Sequence, residues 1–130
     1  MDQHFGKNYK LCNKEHIDGL FATGRSQKQY PFVAKYDVQE LKSTSPFQIV
    51  ISAPKRTFKT AVSRNRVKRI CREAVRKNKQ ELESYLKDQN KQLGIFLLYT
   101  GKEEILTEKL EQKVRTLFQK IIDDLQNNYA

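Results

Sequence analysis

From Lys55 to Leu93 the chain contains neither glycine nor proline, so nothing along it interrupts a helix. Val67, Ile70, Cys71 and Ala74 recur at helical spacing, and Leu82, Tyr85 and Leu86 roughly extend that face. At about 100° per residue, Asn65, Lys68, Arg69, Arg72, Arg76 and Lys79 fall on another side. Such a helix can send one face into a core and turn the other toward anions. Ser63 reads as its N-cap, with a hydroxyl that can accept from an early backbone N–H. Glu81 to Gln92 reads as the end of the helix and a turn.

The charge of the protein is concentrated on the same stretch. Residues 55–79 hold Lys55, Arg56, Lys59, Arg64, Arg66, Lys68, Arg69, Arg72, Arg76, Lys77 and Lys79 against one acid, Glu73. The chain has 25 basic and 15 acidic residues, so 14 of each lie outside the window, which therefore carries the whole net charge of +10. Excess charge gathered on one element is the electrostatic footprint of a polyanion site. A merely solvated basic face is the common alternative. It tends to interleave acids for i,i+4 pairs, and here only Glu73 does so.

At 130 residues the chain is expected to form one domain (residues 1–130) with a modest core, and residues 1–12 read as a loosely held arm. Asn13 is expected to cap a short helix on which Ile17, Leu20 and Phe21 share a face, with Gly24 as its stop. Arg25–Gln29 reads as a polar connection. Tyr30–Val38 alternates as a strand, with Phe32, Ala34, Tyr36 and Val38 on one face and Val33, Lys35 and Asp37 on the other. After a loop at 41–46, Phe47–Ser52 reads as a second strand rich in β-branched residues. Leu93–Thr100 is a short apolar run suited to a buried strand. Thr107 is placed as the cap of a last helix striped by Leu110, Val114, Leu117, Phe118, Ile121, Ile122 and Leu125. The expected class is α+β, ordered helix, strand, strand, basic helix, strand, helix, with room for a further short strand within 53–62.

Several chemistries find no support. The acids are scattered, and Asp123–Asp124 reads as solvent-facing. Glu73 suits an ion pair with a neighbouring arginine better than a role as a base. Neither clustered carboxylates for a metal nor a His pair for proton transfer is visible, so no catalytic residue is assigned. Cys12 and Cys71 read as free thiols, and His4 and His16 are too scattered to complete a zinc site. No apolar run approaches the ~20 residues of a membrane span, and the first residues lack an apolar signal core, so a cytoplasmic protein with no membrane partner is expected. Composition and periodicity support a basic nucleic-acid-binding α+β domain and go no further.

One motif goes further. Ala61-Val62-Ser63-Arg64-Asn65-Arg66-Val67-Lys68-Arg69-Ile70-Cys71-Arg72-Glu73 resembles the RNR signature of the bacterial ribonuclease P protein family at every specified position. The order of elements resembles that family over nearly the whole chain. Leu11, Glu15 and Phe21 match the spacing of the family's first helix. The resemblance implies a small α/β sandwich with a left-handed β-α-β crossover, related to a domain of a small-subunit ribosomal protein. It implies a protein subunit that binds the RNA subunit of ribonuclease P and the 5′ leader of precursor tRNA, while the RNA, with Mg²⁺, hydrolyses the phosphodiester. Arg64, Asn65, Arg66, Lys68, Arg69 and Arg72 are then expected to face the RNA, with Arg76 on the same stripe. Lys55, Arg56 and Lys59 are expected to join them, although the family usually has a Ser-Lys-Lys run where this chain has Ser52 and then Pro54-Lys55-Arg56. Ile17, Phe21, Val33 and Lys35 are the expected leader-cleft residues; a tyrosine is common in the family where Lys35 aligns. A ribosomal protein or RNA chaperone, a DNA-binding regulator and a stand-alone nuclease are the other classes. The full signature counts against the first. A regulator would need a helix-turn-helix partner or a dimerisation element, and a nuclease would need the missing acids.

Overall fold

Phe32, Ala34 and Tyr36 are fully buried, while Val33, Lys35 and Asp37 between them are only partly covered. That period of two belongs to a strand with unlike faces. The computed structural model describes residues 14–39, 45–101 and 107–128. Its elements are α1 (Lys14–Thr23), β1 (Arg25–Gln29), β2 (Phe32–Val38), β3 (Phe47–Ser52), α2 (Ala61–Asn78), α3 (Gln80–Asp88), β4 (Leu93–Tyr99) and α4 (Thr107–Asn128). The strands form one sheet in the order β1-β2-β4-β3. β2 is antiparallel to both β1 and β4, and β3 runs parallel to β4. A parallel pair needs a crossover, and α2 and α3 supply it.

Alternation along each strand builds two cores. Phe32, Ala34, Tyr36, Phe47, Ile49, Leu93, Ile95, Leu97 and Tyr99 meet Val67, Cys71, Ala74 and Val75 of α2, Leu82 and Leu86 of α3, and the apolar stripe of α4. All seven residues expected on that stripe are buried. Each fully buried side chain of this size stabilises the fold by about 1.5–3 kcal/mol. On the other face of the sheet a smaller cluster gathers around buried Leu20 of α1, with Ile17, Val50 and Phe96 packed against it. The molecule is an α+β sandwich, and among the described residues its second sheet face is covered only in part, by α1.

Several expectations change. Arg25–Gln29 is an edge strand rather than a connection, paired in register from Arg25↔Tyr36 to Gln29↔Phe32. Polar contacts hold it, so apolar periodicity carries no trace of it: Arg25 Nε donates to Asp124 Oδ2 at 2.7 Å, and Gln27 Nε2 to the Tyr36 hydroxyl at 3.3 Å. Asp124 is accordingly tucked between Arg25 and Tyr36, which donates to it at 2.6 Å, and does not face solvent. Burial, then the bond to Asp124, raises the Tyr36 phenol above its ordinary range. The short strand expected within 53–62 is absent; Pro54 O accepts from Thr57 N and Phe58 N, curling the chain into a turn.

The long helix is two helices. Lys79 ends α2, where Asn78 Nδ2 shares the Ala74 carbonyl at 2.8 Å. Its ammonium is buried against Glu83 at 3.2 Å, so Lys79 leaves the solvent stripe. α3 closes with a Schellman pair, Lys91 N to Leu86 O and Asn90 N to Lys87 O, and Asn90 takes the left-handed φ of 54° that this motif requires. The caps also move. Thr60, not Ser63, caps α2; its Oγ1 accepts from Ser63 N at 3.1 Å, and Ser63 Oγ donates back to Thr60 O at 3.0 Å. Thr107 is the first helical residue of α4. The expected cap Asn13, the arm, Leu11, Cys12 and most of the 41–46 loop lie outside the described residues. Burial pushes the Cys71 thiol up to about 12, which keeps it protonated and a packing group.

Candidate nucleic-acid interface

The turn at Pro54 and the cap at Thr60 determine how cations reach the start of α2. Phe58 is buried and packs on Tyr99, ring centroids 5.8 Å apart. Lys55, Arg56 and Lys59 around it remain exposed. Arg64 completes the anchor: its Nη1 donates to Phe58 O at 2.9 Å and Lys59 O at 3.3 Å. The first arginine of the motif thus helps hold the loop that presents three further cations, Lys55, Arg56 and Lys59. Free N–H groups at a helix N-terminus already favour anions, and the loop brings cations to the same place.

Along α2, Val67, Cys71, Ala74 and Val75 are buried and Ile70 packs partly on the core. The opposite side exposes Asn65, Arg66, Arg69 and Arg72, with Lys68 half-covered. Lys55, Arg56, Lys59, Lys68, Arg69 and Arg72 have no ion-pair partner among the described residues. Arg76 differs. It pairs with Glu73 at 2.7 Å, and its hydrogen bond holds the Glu73 carboxyl below the usual carboxylate range. One acid is thus engaged by one arginine, and Lys68, Arg69 and Arg72 keep no ion-pair partner among the described residues.

The sheet face beneath α1 has another chemistry. Register places Ser26, Lys35, Phe96 and Val50 side by side across the four strands, and Lys28, Val33, Leu98 and Ser52 in the next row. Phe21 reaches over the first row. It is 51% exposed, meets Phe96 edge-on with ring centroids 4.8 Å apart, and carries Lys35 Nζ 5.7 Å from its ring centre. Ile17 lies beside it against Leu20. The structure therefore brings Ile17, Phe21, Val33 and Lys35 to one face. Phe96 and Leu98 belong to it as well, and sequence reasoning missed them, because in a run as apolar as Leu93–Tyr99 either face looks buried. An aromatic pair with a cation over it suits an unpaired base with its phosphate.

The described residues thus carry two unlike surfaces, a cationic helix and an aromatic sheet face. A family model described as Ribonuclease P matches residues 5–122. The chain belongs to the ribonuclease P protein family. It is 33% identical over 82 residues to the ribonuclease P protein component of Porphyromonas gingivalis, covering 63% of this chain and 60% of that protein. Against the corresponding protein of Chlorobium phaeobacteroides it is 39% identical over 80 residues, covering 58% and 55%. The matches thus span about three fifths of these relatives' lengths. The Staphylococcus aureus RNase P protein superposes with a TM-score of 0.66 at 18% identity, covering 87% of this chain and 94% of that one. The Thermotoga maritima RNase P protein gives 0.65 at 18%, covering 85% and 96%. At such identity the structural likeness is one of fold, the mixed single-domain architecture of ribonuclease P proteins.

Proposed function

We propose that the chain is the protein subunit of ribonuclease P, binding the catalytic RNA subunit through α2 and the 5′ leader of precursor tRNA through the sheet face under α1. The observation that carries this reading is the pairing of two unlike surfaces on one small domain. The α2 stripe with Lys55, Arg56 and Lys59 is cationic and nearly free of acids, which suits the phosphates of a folded RNA. The face holding Phe21, Phe96 and Lys35 is aromatic with a single cation over it, which suits a single strand. The chain belongs to an endoribonuclease complex; in this reading the RNA subunit performs hydrolysis and holds the Mg²⁺. Among the described residues no three His, Cys, Asp or Glu side chains gather as a metal set. Asp124 and Glu73 are both engaged by arginines. No helix among the described residues is long and apolar enough to cross a membrane, and a cytoplasmic setting is part of the proposal.

The direct test is to purify the protein from its host with bound RNA and sequence that RNA. Ribonuclease P RNA and precursor tRNAs are the expected majority. Enrichment of ribosomal RNA in their place would favour a ribosomal protein or chaperone. A second test separates the leader face from the core. Phe21 is half exposed, so Phe21→Ala is expected to leave the melting temperature nearly unchanged. It should weaken holoenzyme binding of precursor tRNA, but not of mature tRNA, by roughly fivefold or more, the scale of one lost base–aromatic contact. A large melting loss with no leader-dependent effect would return Phe21 to the core.

A further inference from the structure

Among the described residues only three large apolar side chains are markedly exposed: Phe21, Val62 and Tyr30. Phe21 belongs to the leader face. Tyr30 is 62% exposed and stands in the two-residue turn joining β1 to β2, since Gln29 pairs with Phe32. A tyrosine this open contributes little to the core, yet the turn beneath it is firmly held. Thr100 donates to Pro31 O from both its backbone N, at 2.6 Å, and its Oγ1, at 3.0 Å. Lys120 Nζ donates to Lys28 O at 2.9 Å, tying the end of β1 to α4. An exposed ring on an anchored turn is preorganised to receive a planar ligand.

The surroundings indicate which ligand. β2 leads from Lys35, beside Phe96, through Val33 to Pro31. Four residues at ~3.3 Å each put the turn roughly 13 Å from the Phe21–Phe96 pair along the open face. Lys28, exposed, precedes the turn on the neighbouring strand. The loop bearing Lys55 and Arg56 comes to the same end of the sheet, because Phe58 packs on Tyr99, which also meets Phe32, the residue following the turn. The rows between Phe21 and Tyr30 thus carry the cations Lys35 and Lys28 and end on a second aromatic, whereas a protein-binding patch would want apolar neighbours around the ring.

Resting on the leader-binding reading above, we infer that Tyr30 is a second base-stacking platform, receiving an unpaired leader nucleotide further along the strand that the Phe21–Phe96 pair engages. Stacking needs the ring and not the hydroxyl. The test uses the holoenzyme reconstituted with its RNA subunit and precursor tRNAs whose leaders grow one nucleotide at a time. Wild-type affinity is expected to rise in two steps as the leader reaches Phe21 and then Tyr30. Tyr30→Ala should remove only the second step, by roughly fivefold or more, and Tyr30→Phe should restore it. Phe21→Ala should reduce the first. If Tyr30→Ala leaves the affinity unchanged at every leader length while Phe21→Ala keeps its effect, the inference about Tyr30 falls and the leader reading stands. If leader length has no effect in any variant, both fall. A change in self-association on Tyr30→Ala, with leader affinity unaltered, would assign the ring to a protein contact and overturn the inference.

Discussion

Between 50 and 200 mM salt, affinity for the RNA subunit is expected to fall by roughly 10³–10⁵, the loss that accompanies on the order of 6–10 phosphate contacts. Lys55, Arg56, Lys59, Arg66, Arg69 and Arg72 are exposed, and Lys68 stands half-covered among them, enough cations for a footprint of that size. The loss arises because each cation that meets a phosphate releases condensed counterions, and added salt opposes that release. Single substitutions should separate presenting residues from supporting ones. Arg66→Ala or Arg69→Ala is expected to weaken binding and make the salt slope shallower by up to about one contact's worth, with little change in melting temperature. Arg64→Ala should act differently. It removes the bonds to Phe58 O and Lys59 O, so it should lower the melting temperature as well, by the equivalent of about 1 kcal/mol. Titrations across salt, alongside thermal melts, read both effects. Salt-insensitive affinity, or an equal loss from Lys109→Ala and Lys113→Ala on α4, would remove the site from α2.

That division within one motif was only half legible in the sequence. The charge balance of residues 55–79 located the cationic element, because a count needs no coordinates. The apolar spacing of Val67, Cys71 and Ala74 oriented the helix, because burial on one face imposes a period near 3.6. The role of Arg64 was not legible, since it depends on where the Pro54 turn leaves two carbonyls. Lys79 looked like a stripe residue because periodicity assumes an unbroken helix, and the break at that position turned it toward Glu83. β1 was invisible for a related reason. Its inward residues Arg25 and Gln27 are held by Asp124 and the Tyr36 hydroxyl, so no apolar alternation marks the strand. On the open sheet face the residues of β2 could be sorted by alternation. Phe96 could not, because only the register with Lys35 and Val50 shows which face it joins.

The largest expected effect concerns which molecule cleaves. In the proposed reading the RNA subunit carries out hydrolysis, so the protein alone is expected to leave precursor tRNA intact. Added to a bacterial ribonuclease P RNA at physiological Mg²⁺, it should permit correct 5′ cleavage where the RNA alone is nearly inactive. The physical cause is electrostatic. Two polyanionic RNAs repel, and a protein that offers α2 to one and its sheet face to the other lowers the counterion cost of joining them. Divalent cations screen the same repulsion, so raising Mg²⁺ should partly replace the protein, and the protein's advantage should shrink steadily along a Mg²⁺ titration. Neutralising the α2 cations together should move the mixture toward the behaviour of RNA alone, and should do so more than Phe21→Ala does. Cleavage measured against Mg²⁺ for protein, RNA and mixture tests each statement. Reproducible cleavage by RNA-free protein, abolished by one carboxylate substitution, would make this a protein nuclease. Failure to stimulate any cognate RNA at low Mg²⁺ would leave a generic RNA-binding domain on the same fold.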